Sequence, residues 1–409
     1  MNKLDQLPTG FTRRESLLAM LGAAAALAGC GGGGDDTAGV GLGGTGAFSV
    51  GPITGIGSII VNGIRYDDSS ASIGNDDSPF RREDFRLGMV VAVQGSPVVN
   101  GRSTASRIVL TSELVGPVAS VGTSSFEVLG QTVEVDSSTA FDPSFSSGLG
   151  SITINTVVEV HGVAGSTANR IRATYIERKS SSSEYKLQGV VTAHNATSRT
   201  FSIGSLNMDY STTPADRIRV TPAVGALIRV RLQSGPASTA IWTVTRIRRP
   251  EDDYSGFSGE VEFKGTITSF TSLSSFVVND VPVDASQALF REGTIGIAAG
   301  AFVEVEGRLV NGVFVATSVK PDDDGAGAVG GGTEFELHGT VSGATTSGSG
   351  GSFTLTSSGG VVVAVDWLNG IEFRDGAAAS LTNGRRVEVK GSLTSGGTRV
   401  NATRISFES

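Results

Sequence analysis

The chain has 409 residues, a formal net charge of −8 and one cysteine, Cys30. Nucleic acid is not expected as a partner, because an acidic chain repels phosphate backbones that are bound through Lys and Arg. One cysteine excludes an internal disulfide and a cysteine metal cluster. The three histidines occur in no HExxH motif, so we expect no metal and no other cofactor.

The first 29 residues have the features of an export signal. Arg13 and Arg14 precede a run of Leu, Ala, Met and Gly over residues 17–29, which is shorter than the roughly 20 apolar residues that span a bilayer. The arginine pair, followed by Leu17 and Leu18, resembles part of a twin-arginine export signal. An ordinary secretory signal with two arginines in its basic region is the alternative.

The segment Leu27-Ala28-Gly29-Cys30 resembles a lipoprotein cleavage site. Cys30 would then be the site of lipid attachment, and two acyl chains give stable membrane anchoring. Residues 30–48 are rich in glycine and predict a flexible tether. Gly31 rather than Asp follows the cysteine, and the resemblance to Gram-negative lipoproteins then implies the outer membrane. We therefore expect a protein that is anchored there by lipid and faces the periplasm or the cell surface.

One β-rich unit recurs five times after the tether. Each copy opens with a glycine before a β-branched residue, continues with an alternating strand of the type Val-Glu-Val-x-Gly, and closes with a motif of the type Ala-x-x-Ile. The third copy is the most divergent, because Leu232 replaces the glycine after its alternating strand. The opening glycines are Gly51, Gly116, Gly189, Gly265 and Gly339, the alternating strands begin at Val91, Val158, Ile228, Val303 and Val387, and the closing motifs begin at Ala105, Ala173, Val244, Ala316 and Ala402.

A tight turn early in each copy predicts a β-hairpin. Asn62-Gly63 between two apolar runs is the strongest short hairpin signal, because both residues tolerate a positive φ. Each copy then predicts three strands, a connection of about twenty residues and two more strands. The connection has room for a short helix, for example over residues 285–291. The equivalent turns are Leu129-Gly130, Gly204-Ser205, Asn279-Asp280 and Ser358-Gly359-Gly360.

The predicted fold is all-β, with five tandem small OB-like β-barrel units after the signal peptide and the tether. Five strands with a break after the third match an OB-type barrel, and closure hides the strand edges. Units of about 65 residues are marginal alone, so we expect neighbouring units to pack together, most tightly at the short joint between the first two. Compositional linkers lie at 180–183, 248–253 and 321–332. The predicted units are 49–113, 114–179, 186–249, 259–321 and 334–409.

The three recurring motifs together resemble a family of bacterial repeat domains of unknown function, found in secreted proteins and lipoproteins. The resemblance covers about residues 50–408. It implies no catalytic or binding residues.

An aspartate recurs at the end of the third strand of each copy. One interpretation is a carboxylate ligand for a divalent cation or a sugar hydroxyl. The other, which we favour, is a cap for the following turn, a common role of Asp. Only one or two oxygens per unit can be assigned, whereas Ca²⁺ takes six to eight. The candidates are Asp67, Asp136, Asp209, Asp284 and Asp366.

Two further residue types bear on function. His161 occupies a position in its alternating strand where other copies have Gln94 and Glu306, which predicts a solvent-facing side chain. Trp242 and Trp367 are candidates for stacking on a sugar ring, although a single Trp in a small β unit more often belongs to the core.

Five interchangeable units do not concentrate unlike acid, base and nucleophile residues in one place. We therefore expect a non-enzymatic binding or scaffold protein, with the membrane, and an envelope protein or a glycan, as partners. The alternative is a carbohydrate-binding or carbohydrate-processing surface protein.

Overall fold

A computed structural model describes residues 46–74, 80–164, 169–180, 182–250, 252, 257, 259–321, 334–394 and 396–408. The predicted export signal with Arg13 and Arg14, the predicted lipid site at Cys30 and the linker over 322–332 lie outside these residues. The described residues contain no α-helix. They contain short 3-10 turns, including Arg82–Asp84, Gly148–Ser151, Ala215–Arg217 and Ala378–Ser380.

The strands fall into five groups along the chain. The first barrel contains β1 (Ala47–Ile56), β2 (Ile59–Val61), β3 (Ile64–Asp67), β4 (Ser72–Gly74), β5 (Val90–Gly95) and β6 (Arg102–Thr111). The second contains β7 (Leu114–Val121), β8 (Ser125–Val128), β9 (Gln131–Glu134), β10 (Ala140–Phe141), β11 (Val157–Ala164) and β12 (Arg170–Arg178). The third contains β13 (Glu184–Asn195), β14 (Thr200–Ile203), β15 (Leu206–Asp209), β16 (Leu227–Gln233) and β17 (Ile241–Arg248). The fourth contains β18 (Glu260–Ser272), β19 (Ser275–Val278), β20 (Val281–Asp284), β21 (Leu289–Phe290), β22 (Phe302–Val310) and β23 (Val313–Pro321). The fifth contains β24 (Phe335–Ser347), β25 (Gly350–Thr356), β26 (Val362–Arg374), β27 (Arg386–Leu393) and β28 (Val400–Phe407).

Each group closes into a barrel by the same circuit of pairings. In the first barrel, β1 pairs with β2, β2 with β3, β3 runs parallel to β6, β6 pairs with β5, and β5 returns to β1. The same circuit closes the other four groups. Closure leaves none of these five strands as a free edge. The prediction of all-β, OB-like barrel units is confirmed.

The connection after the third strand differs from one expectation. Residues 285–291 do not form the predicted helix. They contain β21, which runs parallel to β23, and β4 and β10 make equivalent pairings in the first and second barrels. A short strand here hydrogen-bonds to the last strand of the barrel, whereas one helical turn would leave most of its backbone groups unpaired.

The hairpin turns have the predicted backbone. Asn62 and Gly63 have φ of 51° and 76°, and Asn279 and Asp280 have φ of 43° and 64°. Two consecutive positive φ angles define the turn that matches the twist of the flanking strands. The other predicted turns also contain a positive φ, at Leu129, Gly130, Gly204 and Gly360.

A β-bulge follows the alternating strand in every barrel and explains the recurring glycine. The register shifts by one residue at Gly95, Gly162, Gly307 and Gly391, and in the third barrel at Leu232. An ideal Cβ on Gly307 would lie 2.2 Å from the Val315 carbonyl oxygen. Glycine therefore lets the two strands approach closely in four barrels.

The bulge also explains the hydroxyl residue in the closing motif. The hydroxyls of Thr317 and Thr403 donate across the bulge to the carbonyls of Glu306 and Lys390, both at 3.1 Å. In the third barrel, where Leu232 replaces glycine, the buried Thr245 hydroxyl has no hydrogen-bond partner among the described residues. In the second barrel, which keeps the glycine, the equivalent Thr174 hydroxyl donates instead to the Gly88 carbonyl of the first barrel.

Main-chain pairings join barrels that are not consecutive in sequence. Strand β1 runs parallel to β18 at Phe48 and Phe263, and parallel to β24 at Gly55 and Glu336. The turn side chains reinforce the first contact, because Asn62 Nδ2 donates to the Lys264 carbonyl and Asn279 Nδ2 to the Val50 carbonyl, at 2.8 and 2.6 Å. The first barrel therefore contacts the fourth and the fifth through one strand.

The second and third barrels are also joined by strand pairing. Strand β7 pairs antiparallel with β13, with Leu114 opposite Leu187, and the interiors of both barrels contribute to one buried apolar cluster. Residues 43–409 as a whole form one compact unit. The expected packing between neighbouring units is present, but the contacts do not simply follow the order of the chain.

Two predicted boundaries need correction. Ala47 and Phe48, which the tether prediction included, lie in β1 and are buried, and the Phe48 ring centroid is 5.2 Å from that of Phe257. The third barrel begins with Glu184 rather than at residue 186. The tether ends before Ala47 because the large aromatic side chain of Phe48 is buried between two barrels, which composition alone does not reveal.

Candidate functional site

Four of the five recurring aspartates cap a turn within their own barrel. Asp67, Asp136, Asp209 and Asp284 each accept a hydrogen bond from the backbone N–H two residues later, at 2.7–3.0 Å. Hydrogen bonds from the following serine lower the pKa of Asp67, Asp209 and Asp284. This is the capping geometry that the second interpretation predicts.

Asp366 makes a different contact. Its two carboxylate oxygens accept hydrogen bonds from Nε and Nη2 of Arg399, both at 2.6 Å, and these bonds raise the pKa of Arg399. The five aspartates lie in five different barrels, so the structure does not bring them together. Among the described residues, no group of three or more His, Cys, Asp or Glu side chains is arranged to hold a metal ion.

The two tryptophans are core residues. Trp242 and Trp367 are 2% and 3% exposed. Trp242 packs against Tyr185 and Trp367 against Phe373. Neither ring offers a face for stacking on a sugar, so the stacking interpretation is wrong for both.

His161 is fully buried between the first and second barrels, so the prediction of a solvent-facing side chain is wrong. Its Nδ1 lies 2.7 Å from the carbonyl oxygen of Thr111 in the first barrel. The same face carries Thr174, whose hydroxyl donates to the Gly88 carbonyl at 2.6 Å. The alternating pattern correctly predicts that His161 points out of its own barrel, and the first barrel then covers that face.

Burial lowers the pKa of His161 to about 4, so the ring is neutral at pH 7. A neutral ring carries one N–H, and the short distance to Thr111 assigns that proton to Nδ1. The buried Nε2 has no hydrogen-bond partner among the described residues. His161 therefore acts as a neutral donor that fixes two barrels together.

His338 joins the first and fifth barrels through charged partners. Its ring nitrogens lie 2.6 Å from Glu408 and 2.8 Å from Glu336, and Arg65 of the first barrel lies 3.2 Å from the Glu336 carboxylate. Hydrogen bonds from His338 and Lys390 lower the pKa of Glu336 to about 2. This cluster is consistent with an interface ion-pair network.

A cavity of about 370 Å³ lies where the first, second and fifth barrels meet, and is partly open to solvent. We call it the junction cavity. Its apolar wall includes Leu87 of the first barrel, Phe141 of the second, and Val362 and Val400 of the fifth. Three barrels supply this wall.

Six polar side chains also line the junction cavity. They are Arg86 of the first barrel, Ser146 and Tyr175 of the second, and Thr354, Thr398 and Arg399 of the fifth. Asp366 engages Nε and Nη2 of Arg399, and Nη1 of Arg86 donates to the Glu83 and Phe85 carbonyls. All three barrels thus contribute hydrogen-bond donors to a largely apolar space, as in many small-molecule sites.

A close backbone contact closes one side of the cavity. The Phe141 N–H donates to the Gly397 carbonyl at 2.9 Å. Gly397 has a φ of +67°, and an ideal Cβ there would lie 2.4 Å from the Thr139 carbonyl oxygen. A glycine at this position therefore permits the second and fifth barrels to meet.

Sequence reasoning did not identify the lining residues. Tyr175 gave the clearest available signal, since it is an aromatic residue in the closing motif where other copies have Arg107, Arg246, Ser318 and Arg404. Arg86 and Arg399 lie outside the recurring motifs. Only the packing of three barrels brings these residues together.

None of the short 3-10 helices that the structure describes is long and apolar enough to cross a membrane.

The closed five-stranded circuits, repeated along one chain, define a protein of tandem OB-type barrels. The chain belongs to the family described as domain of unknown function (DUF5666), whose model matches residues 50–109, 115–177, 264–320 and 338–406. These four matches correspond to the first, second, fourth and fifth barrels. The third barrel has the same circuit of strands and is the one that lacks the bulge glycine.

A comparison with curated proteins gave no match. Among solved structures, the chain is similar to one described as drosophila Unr CSD456, at 14% identity over 56% of this chain and 98% of that chain, with a TM-score of 0.17. A likeness at that TM-score carries no argument about this chain.

Proposed function

We propose that this protein is a non-enzymatic scaffold of the bacterial envelope, anchored to the outer membrane by lipid on Cys30, that presents a fixed set of barrels to an envelope protein or a glycan. The observation that best supports this role is the pairing of β1 with both β18 and β24. Backbone pairing between non-consecutive barrels restricts their relative motion more than a flexible linker does. A fixed arrangement of surfaces suits a scaffold.

The use of the recurring polar residues also supports a structural role. Four recurring aspartates are engaged in turns, and Asp366 is engaged by Arg399. The neutral His161 and the His338 cluster are engaged between barrels. These groups stabilise the assembly.

The segment between Cys30 and β1 suits a tether. Residues 31–46 are rich in glycine, and a random coil of that length spans on the order of 20–25 Å. A lipid on Cys30 would therefore keep the barrels close to the membrane surface while leaving their orientation free.

Anchoring is tested by Cys30→Ala, with Gly31→Ala as the matched control. We expect the wild type and the control to remain in the membrane fraction after a high-salt wash, because two acyl chains give stable association. The Cys30→Ala protein should be released or remain unprocessed. A fully membrane-bound Cys30→Ala protein that resists salt would contradict the lipid anchor.

The export route has its own test. Replacing both Arg13 and Arg14 with Lys keeps the positive charge of the basic region. Export should stop if the pair is a twin-arginine signal and continue if it is an ordinary secretory signal. The measurement is the amount of processed protein in the envelope fraction.

A groove on the third barrel favours the glycan alternative. It has a volume of about 320 Å³ and is lined by Asn195, Ser202, Asn207 and the exposed side chain of Ile241, among others. Amide and hydroxyl groups beside an aliphatic surface suit the hydroxyls and the C–H face of a sugar. Loss of binding on a glycan array after Asn207→Ala, with the exposed Asn401→Ala as a control on the fifth barrel, would support this role.

A further inference from the structure

The wall of the junction cavity includes a phenol that makes no hydrogen bond within the fold. Tyr175 is 3% exposed and lines the cavity, and no hydrogen bond joins its hydroxyl to a described residue. Buried hydroxyls in native proteins are usually paired with protein or with ordered water. A ligand or a water molecule in the cavity would satisfy this donor.

The hydroxyl of Tyr175 remains protonated. Burial and, to a smaller extent, the charge of Glu177 raise the pKa of Tyr175. Glu177 itself is paired with Lys179 at 3.3 Å, so its charge is partly neutralised. A neutral phenol in this position donates a hydrogen bond and favours an acceptor as its partner.

The cation at the cavity has no paired carboxylate. Arg86 forms no ion pair with any residue that the structure describes, and its Nη1 donates only to backbone carbonyls. Arg399, by contrast, is neutralised by Asp366. The junction cavity therefore combines a phenol donor and an uncompensated guanidinium with an apolar wall.

We propose that the junction cavity binds a small organic acid, in which an apolar body packs between Leu87, Phe141 and Val400 and one carboxylate accepts hydrogen bonds from Tyr175 and Arg86. The volume of about 370 Å³ lies within the range of small-molecule sites. A carboxylate supplies both the acceptor that Tyr175 lacks and the negative charge that Arg86 lacks. This site goes beyond the scaffold role and does not depend on the lipid anchor.

The test is calorimetric titration of the full chain with sodium octanoate, octan-1-ol and octylammonium chloride. Octanoate carries the proposed carboxylate, and the other two probes keep the apolar body but lack the negative charge. We expect octanoate to bind at one site and the other two to bind at least about tenfold more weakly, because hydrogen bonds to charged groups are the stronger ones. Equal binding of octanoate and octanol, or no binding of octanoate, would overturn the proposal.

Variants locate the binding. Tyr175→Phe removes one oxygen and Arg86→Gln removes the charge, and each should weaken octanoate binding about tenfold or more. Ala364→Phe places a ring in the cavity and should abolish binding. Tyr210→Phe makes the same chemical change in the third barrel and should leave binding unchanged. If Tyr210→Phe weakened binding as much as Tyr175→Phe, or if all three cavity variants bound octanoate like the wild type, the site assignment would be wrong.

Failure of this proposal is distinct from failure of the scaffold proposal. Octanoate binding is measured in solution, whereas the scaffold proposal is tested by fractionation of cells. Either result can be negative without changing the other.

Discussion

His161 in the second barrel and Glu306 in the fourth occupy equivalent positions in the alternating strand. His161 is fully buried against the first barrel, whereas the Glu306 side chain is 38% exposed and pairs with Arg291 at 2.6 Å. The backbone is the same at both positions, with a bulge at the next residue. The recurring motif therefore determines the barrel, and the neighbouring barrels determine what happens on its outer face.

The largest expected effect on stability comes from the bulge glycine, the part of the recurring motif that four barrels share. Gly307→Ala would place a Cβ 2.2 Å from the Val315 carbonyl oxygen, and we expect a loss of about 4 kcal/mol, at the upper end for overpacking. Gly74→Ala is the matched control, since its nearest neighbours would lie 4.0 Å away and its φ is not positive. The measurement is urea unfolding. A Gly307→Ala protein as stable as the control would show that the bulge glycine is not required.

The second effect is a dependence of the unfolding free energy on pH, which we expect from His161 and not from Glu306. The pKa of His161 is about 4 in the folded state and 6.5 when unperturbed, so the unfolded chain binds a proton first as the pH falls. The stabilisation is fully present above pH 6.5 and is lost towards pH 4, by about 3 kcal/mol. The charged groups that face His161 are Glu159, Lys186 and Lys179.

Urea unfolding of the wild type and of His161→Gln between pH 8 and pH 4 measures this loss. Gln keeps a hydrogen-bond donor for Thr111 but does not titrate, so its curve should be flatter over pH 6.5–4. Parallel curves for the two proteins would assign the pH dependence to other groups. Burial raises the pKa of Glu159, but Lys186 and the other charged neighbours together lower it by more. The stabilisation that Glu159 contributes is therefore fully present above pH 4.5 and is lost only below it.

The third effect compares the two equivalent positions directly at pH 8. His161→Ala leaves the buried Thr111 carbonyl without its donor, and we expect a loss of about 2 kcal/mol. Glu306→Ala removes an exposed ion pair and should cost less than about 1 kcal/mol. The melting temperature of His161→Ala should therefore be lower than that of Glu306→Ala. The reverse order would mean that the outer face of the fourth barrel carries more of the stability than its exposure indicates.

The smallest effect separates the fifth aspartate from the other four. Asp284→Asn should leave stability unchanged, because Asn also accepts the hydrogen bond of the turn. Asp366→Asn removes the charge that pairs with Arg399, which is partly exposed, and should cost about 0.5–1 kcal/mol. Melting curves with and without millimolar calcium provide a further control. A calcium-dependent rise that Asp284→Asn abolishes would restore the metal-ligand interpretation.

The sequence predicts the parts of the fold that depend on local chemistry. Asn62-Gly63 predicts a turn because both residues tolerate a positive φ, and the glycine after the alternating strand marks the bulge. Alternation shows that His161 points out of its barrel. It does not show which barrel covers that face, because the contact depends on Thr111 and Gly88 in another unit.

The junction cavity was beyond prediction for the same reason. Arg86, Tyr175 and Arg399 are separated along the chain and belong to three barrels. The contacts that bring these barrels together include Gly55 against Glu336 and Phe141 against Gly397. Pairings between non-consecutive units have no periodic signal in the sequence.

The central claim is that the first, fourth and fifth barrels are held together through β1 and not only by the linkers between them. A protease site placed within residues 325–332 allows the fifth barrel to be cut from the rest of the chain. We expect the two fragments to remain together on gel filtration at physiological salt. Gly55→Val, whose side chain would meet the Glu336 carbonyl oxygen from 2.7 Å, should let them separate after cutting. Separation of the cut wild-type fragments would contradict the account.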